Sequence, residues 1–165
     1  MKVRFAISAV LALGLALGTS GCNLIQPQAT TTSYDASDGV SFNVGELQLR
    51  NLTLISNDGQ SASLLMSAIN TTGSDISLSV QFLSKGEMVN GTLLIPSSNA
   101  ATSWGAASEN KIILDGTNTP AGSLLKMYFQ YGSADGATSL VPVLTSAQPQ
   151  YAGLEPSSTI HLGTK

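Results

Sequence analysis

The sequence predicts an all-β domain, an antiparallel β-sandwich, carried behind an export leader. Three observations predict it. Apolar residues alternate with polar ones in several short stretches. Turn-forming pairs separate those stretches at intervals of roughly 8–15 residues, the spacing of small sandwiches. And the 165-residue chain is poor in charge (10%) and rich in Ser, Thr, Asn and Gly, a composition that argues against a helical bundle. A small open barrel is the alternative that the same pattern allows.

The chain opens with Met1-Lys2-Val3-Arg4 and an uncharged apolar run from Phe5 to Leu17. Basic residues before an apolar core are the marks of an export signal. The run is about 13 residues, against the roughly 20 needed to span a bilayer. Small residues, Gly18-Thr19-Ser20-Gly21, lead to Cys22, the only cysteine. Leu17 to Cys22 resembles the bacterial lipobox, with Thr19 where that motif usually carries Leu. The resemblance implies that Cys22 is lipidated and becomes the first mature residue. Acyl chains then supply the membrane anchor. No thiol is left for disulfides, so stability rests on an apolar core.

The expected organisation is a signal peptide over 1–21, a lipidated tether over 22–33, the domain over 34–147 and a flexible tail over 148–165. The tether (Gln26-Pro27-Gln28, Thr30-Thr31-Thr32) has no apolar period. Val40, Phe42 and Val44 alternate, as do Leu47 and Leu49, then Leu52 and Leu54. The phase slips at Arg50-Asn51, which predicts a bulge or turn. Asn57-Asp58-Gly59 is a turn, 62–69 a strand, and 70–75 another turn. Ile76, Leu78, Val80 and Phe82 against Ser77, Ser79 and Gln81 give the cleanest half-buried strand. Lys85-Gly86 turns the chain into a strand over 88–95. Residues 96–110, with Trp104, read as a loop, and 111–114 as a short strand. Leu125, Met127, Phe129 and Tyr131 alternate again. Tyr128 and Tyr131 differ in parity, so at most one of them faces the core. Residues 140–144 read as an edge strand, because Pro142 lacks a ladder donor.

Charge and composition exclude several functions. The net charge is −3, and loss of Lys2 and Arg4 with the leader makes the mature chain more acidic. Nucleic-acid binding needs a basic patch, which is absent from the pattern. Electrostatic capture by anionic lipid is disfavoured for the same reason. His161 is the single histidine, and it reads as a solvated tail residue. With no second His or free thiol, no ordinary zinc site is expected. Met66, Met88 and Met127 are the soft ligands a copper carrier would use, yet each lies in a predicted strand, where Met usually fills core space. Ser123-Leu124-Leu125-Lys126 matches S-x-x-K, a nucleophile–base pair when both sit on one helix turn. In a strand the two point to opposite faces, and the partner motifs are missing. Asp35 to Gly39 lacks the EF-hand ligand series and reads as a polar turn. No glycine pattern matches a phosphate loop. Asn51, Asn70 and Asn90 stand in N-x-T sequons that mark turns or strand ends. Trp104 is either a partner contact or a lid over one end of the core, and the second reading is preferred.

Taken with the lipobox, several features resemble the small cell-envelope lipoproteins of actinobacteria, of the LpqE type. They are Arg50-Asn51 before an apolar strand, Asn70 followed by Asp75, and Gly122 leading into Met127-Tyr128-Phe129. Gly132-Ser133-Ala134-Asp135-Gly136 and Val141-Pro142-Val143 complete them. The likeness runs from Val40 to Leu144. It implies an immunoglobulin-like sandwich on the extracytoplasmic face of the cell membrane. It assigns no catalytic residues. The sequence therefore favours a non-enzymatic binding or adaptor module, with an envelope protein as partner and no cofactor. An exported copper or other metal carrier is the alternative.

Overall fold

Ten strands carry the fold: β1 Val40–Val44, β2 Leu47–Ile55, β3 Ser61–Asn70, β4 Ile76–Ser84, β5 Glu87–Ile95, β6 Ser98–Trp104, β7 Ile112–Asp115, β8 Leu124–Gln130, β9 Ala137–Leu144 and β10 Ile160–Leu162. The computed structural model describes residues 3–5, 7, 8, 10, 35, 37–106, 111–156 and 160–162, the side chains of 160 and 161 excepted. It separates into two units, Met1–Tyr34 and Asp35–Lys165. In the first, the described residues between 3 and 10 are helical, and the Ser8 hydroxyl donates to the Arg4 carbonyl at 3.0 Å. Among the described residues no helix is long and apolar enough to cross a membrane. Cys22 and the tether over 22–33 lie outside the described residues.

The second unit is the all-β sandwich that the alternation predicts. One layer holds β1, β2, β3, β6, β7 and β10, and the other runs β9-β8-β4-β5. The clearest case is β4, where Ile76, Leu78, Val80 and Phe82 are all buried while Ser77 and Leu83 are exposed. Period 2 turns every second side chain inward. The inward residues of both layers interlock in one core, with Leu47, Leu49, Leu52, Leu54 and Leu64 facing Leu78, Val80, Phe82, Met127 and Phe129. The Phe42 and Phe129 rings meet across it at 5.2 Å and 56°, a tilted contact that aromatic quadrupoles favour.

The phase slip at Arg50-Asn51 is a bulge. Asn51 adopts φ +53°, and the register of β2 shifts against β1 and against β3. Arg50 fixes the bulge from outside, donating to the Phe42 and Leu49 carbonyls at 3.0 and 2.8 Å and to Asn43 and Gln48. The 57–59 turn is closed by Asp58, whose carboxylate accepts from the Gln60 and Ser61 amides. Asn70 is buried and fully used. It donates to the Ser74 and Ile95 carbonyls and accepts from the Thr72 amide and hydroxyl.

Four expectations are corrected. First, the strands are not all antiparallel: β2 pairs in parallel with β9 through Leu54–Val143 and Ile55–Leu144, and β7 pairs in parallel with β10. The first of these seams joins the layers into one curled sheet. Second, the stretch expected as a loop contains β6, which pairs with β3 from Met66–Trp104 to Asn70–Ser98. Third, β9 is not an edge strand, since it lies between β2 and β8. Proline is tolerated because Val143 donates to Ser123 of the β8 side. Successive amides point to opposite edges of a strand, so the nitrogen of Pro142 faces the β2 side, where pairing begins only at Val143. Fourth, 148–165 is not wholly a free tail. It forms a 3-10 turn at Pro149–Tyr151 and then β10. Leu162 enters the core against Gly91 of β5 and brings the two end strands of the curled sheet together.

Candidate functional site

Several of the residues singled out for chemistry have structural roles. Met66 and Met127 are core residues at 2% and 1% exposure, as expected of strand methionines, but Met88 is 65% exposed. Asp35 accepts from the Ser41 amide, and Asp38 accepts the Tyr151 hydroxyl. Burial, then the bond to Asp38 and its negative charge, push the Tyr151 phenol up to about 12. Lys126 is exposed in β8, and Ser123 precedes that strand with opposite parity. The pair therefore diverges, and no nucleophile–base contact forms. Among the described residues no group of three or more His, Cys, Asp or Glu is placed to hold a metal ion. The His161 side chain lies outside the described residues; its backbone pairs with Ile113.

Lys111 was unremarked in the sequence and is nearly buried. Its ammonium donates to the Gly153 and Glu155 carbonyls at 2.7 and 3.0 Å. The segment after β9 is thereby tied down, with Asn57–Ser146 bonds at one end and Lys111 at the other. The Glu155 carboxyl sits below its usual range, held there first by its own backbone amide and then by Ser146, the Gly153 amide and the Lys111 charge.

Two surfaces remain. The first is the free edge of β6. This strand pairs with β3 on one side and with no other strand among the described residues. Such an edge offers unpaired donors and acceptors to another chain. Trp104, at its end, is half-buried and packs against the core. Tyr131 likewise packs on the core, and its hydroxyl accepts from the Glu46 amide. Tyr128, of opposite parity, lies over Gly136.

The second is the outer face of the β9-β8-β4-β5 layer. Leu140 is opposite Lys126, and Leu83 is opposite Met88. Phe82 pairs with Met127, which sets Leu83 beside Lys126. A row Leu140–Lys126–Leu83–Met88 thus crosses the face, with Leu124 and Pro142 paired in the next row. Leu83, Met88, Leu124 and Leu140 are each at least half exposed. Sequence reasoning missed this face. Its signal was present: Leu83, Leu124 and Leu140 are apolar residues in the polar phase of their own strands.

No family model matches the chain, and no curated protein matches it. Several solved structures share part of its trace, two of them as follows. The copper-bound PCuAC domain from PmoF2 is 18% identical, with a TM-score of 0.48 over 64% of this chain and 98% of that one. The apo PmoF2 PCuAC domain is 15% identical, with a TM-score of 0.46 over 66% and 98%. Likenesses of this size assign no ligand and no residue, and the copper belongs to the domain named.

Proposed function

We propose that this chain is an exported, lipid-anchored, non-enzymatic binding module of the cell envelope, akin to the LpqE-type lipoproteins. Acyl chains on Cys22 hold the domain at the extracytoplasmic face of the cell membrane. The β6 edge takes up an extended segment of an envelope protein by strand addition, where main-chain bonds give affinity and side-chain pockets give selectivity. The observation that carries this reading is the edge of β6 that pairs with no other strand among the described residues. A photo-reactive residue at Ala101, in β6, would be compared with one at Thr92, exposed on β5. One dominant envelope protein captured from Ala101 and not from Thr92 supports the reading. Equal capture from both, or none from either, overturns it.

A second reading is the exported copper carrier. Copper is named for one of the similar solved domains given above; in this chain the relevant observation is Met88, a thioether open to solvent. Soft Cu(I) favours such ligands. Stoichiometric Cu(I) binding that is lost in Met88→Leu supports it. No binding, or binding indifferent to that substitution, removes it.

A further inference from the structure

The strand directions give the domain a definite lower end. Val40 pairs with Leu52 near the end of β2, and that end of β2 joins Val143 and Leu144 of β9. The β4–β5 turn, the start of β8 and the end of β10 belong to the same end, because Ser84–Glu87, Leu124–Pro142 and Leu162–Leu114 are paired there. The described part of the domain thus begins at this end, where Val40 opens β1. About a dozen residues separate Cys22 from Asp35, a reach of roughly 40 Å when extended. The apolar row and its Leu124–Pro142 neighbour occupy the lower half of the outer face, beside the point where the tether joins.

The remaining lysines share that placement. Among the described basic side chains of the domain, Arg50 and Lys111 are committed to internal bonds. The other two, Lys126 within the row and Lys85 in the β4–β5 turn, lie at the lower end. Glu87 is exposed at the same turn, and Asp58 in the β2–β3 turn and Asp115 at the end of β7 stand at this end too, so the end is not basic and its contact with a bilayer would rest on apolar side chains first. This is the chemistry of an interfacial contact, in which apolar side chains enter the headgroup region and an ammonium stays at phosphate level. It does not require the basic patch that the sequence lacks.

We infer that the outer face of the β9-β8-β4-β5 layer is a second membrane contact: Leu83, Met88, Leu124 and Leu140 rest in the bilayer interface, and Lys126 meets lipid phosphate. The inference rests on the lipid anchor proposed above. It turns the domain from a body at the end of a tether into one held in a fixed orientation. The β6 strand, paired with the Met66–Asn70 half of β3, lies toward the opposite end and stays free for a partner.

The test uses the full chain, lipidated and placed in vesicles of phosphatidylglycerol and phosphatidylethanolamine. Cys22 is the only native cysteine, and its sulfur carries the lipid. Leu83→Cys, Leu140→Cys and Leu94→Cys each therefore add one thiol for a fluorophore. Leu94 is exposed on the same face at the other end, paired with Ser77. The expected result is loss of emission to brominated lipid at 83 and 140, with none at 94. Emission unchanged at all three sites in protein that floats with the vesicles overturns the inference and leaves the anchor standing. Shielding at 83 and 140 from both brominated lipid and aqueous iodide overturns it in favour of a second copy or another protein on that face. Protein that fails to float removes the anchor and the inference together.

Discussion

Replacing Gly91 by alanine probes how the curled sheet is closed. A Cβ at that position would stand 2.3 Å from Leu162 Cδ2, 2.8 Å from Cγ and 2.9 Å from Cδ1. All three are inside van der Waals contact, so Leu162 must turn away or β10 must shift. Leu162 is 6% exposed, and burial of a leucine contributes about 1.5–3 kcal/mol. Against that loss, alanine gains about 0.5–1 kcal/mol over glycine inside a strand. Gly91→Ala is therefore expected to destabilise by about 1–2 kcal/mol. Leu162→Ala alone is expected to cost about 2 kcal/mol, the lower limit for such truncations, because its strand lies at the end of the sheet. In the Leu162→Ala background the three clashing atoms are gone. There Gly91→Ala becomes neutral or mildly stabilising, so the sign of its effect reverses. Urea unfolding followed by Trp104 fluorescence measures all four corners of the cycle, and a coupling of about 1.5–3 kcal/mol is expected. Equal destabilisation by Gly91→Ala in both backgrounds would refute the reasoning, because Leu162 would then not be what fills the space.

Three further outcomes are expected. Lys111→Met leaves the Gly153 and Glu155 carbonyls without their donor; it should lower stability by about 2–3 kcal/mol and open residues 149–156 to proteolysis, and an unchanged cleavage pattern would count against the tie. The Tyr151 phenol, pushed up to about 12, is held neutral by the fold. Its contribution is complete below the ordinary tyrosine pKa of about 10 and is lost as pH rises toward the folded value. Ultraviolet titration should thus show one late-ionising tyrosine that vanishes in Tyr151→Phe. The Asp58 carboxyl sits below its usual range, chiefly through the Ser61 amide and then that of Gln60. Its contribution is present above the ordinary carboxylate range and lost as pH falls through the lowered value. The stability gap between wild type and Asp58→Asn should therefore narrow in acid, and a gap independent of pH would show that the carboxylate charge is not what closes the turn.

The elements legible in the sequence are those whose side chains carry the information. The alternation of β4 and β8, the slip at Arg50-Asn51 and the Asp58 turn all follow from local chemistry. What escaped depends on pairing between distant segments. Ser98-Asn99-Ala100-Ala101-Thr102-Ser103 has no large apolar residue, so period 2 leaves no trace; β6 is held by the β3 ladder and by contacts such as the Ser67–Ser103 hydroxyl pair. Three-residue β10 is too short to show a pattern and exists through its pairing with β7. Pro142 was readable as a missing donor, but not the fact that a strand can be paired fully on one side and only at its end on the other. The outer apolar row was hidden differently: each leucine stands alone in the polar phase of its own strand, and only the register of four strands brings them together.

The seam between β2 and β9 also bears on how the chain folds. Its paired residues, Leu54–Val143 and Ile55–Leu144, lie far apart in sequence, whereas β1–β2, β2–β3, β4–β5 and β8–β9 join near neighbours. Loop closure opposes distant pairing until many contacts can form together. Hairpins should therefore form early and the joining of the two layers late. A chain delivered N-terminus first would hold its apolar faces uncovered until β9 and β10 arrive, and during that interval the Leu54–Ile55 end of β2, beyond its pairing with β1, lacks its β9 neighbour. Folding is then a race between that last closure and association with other unfinished chains.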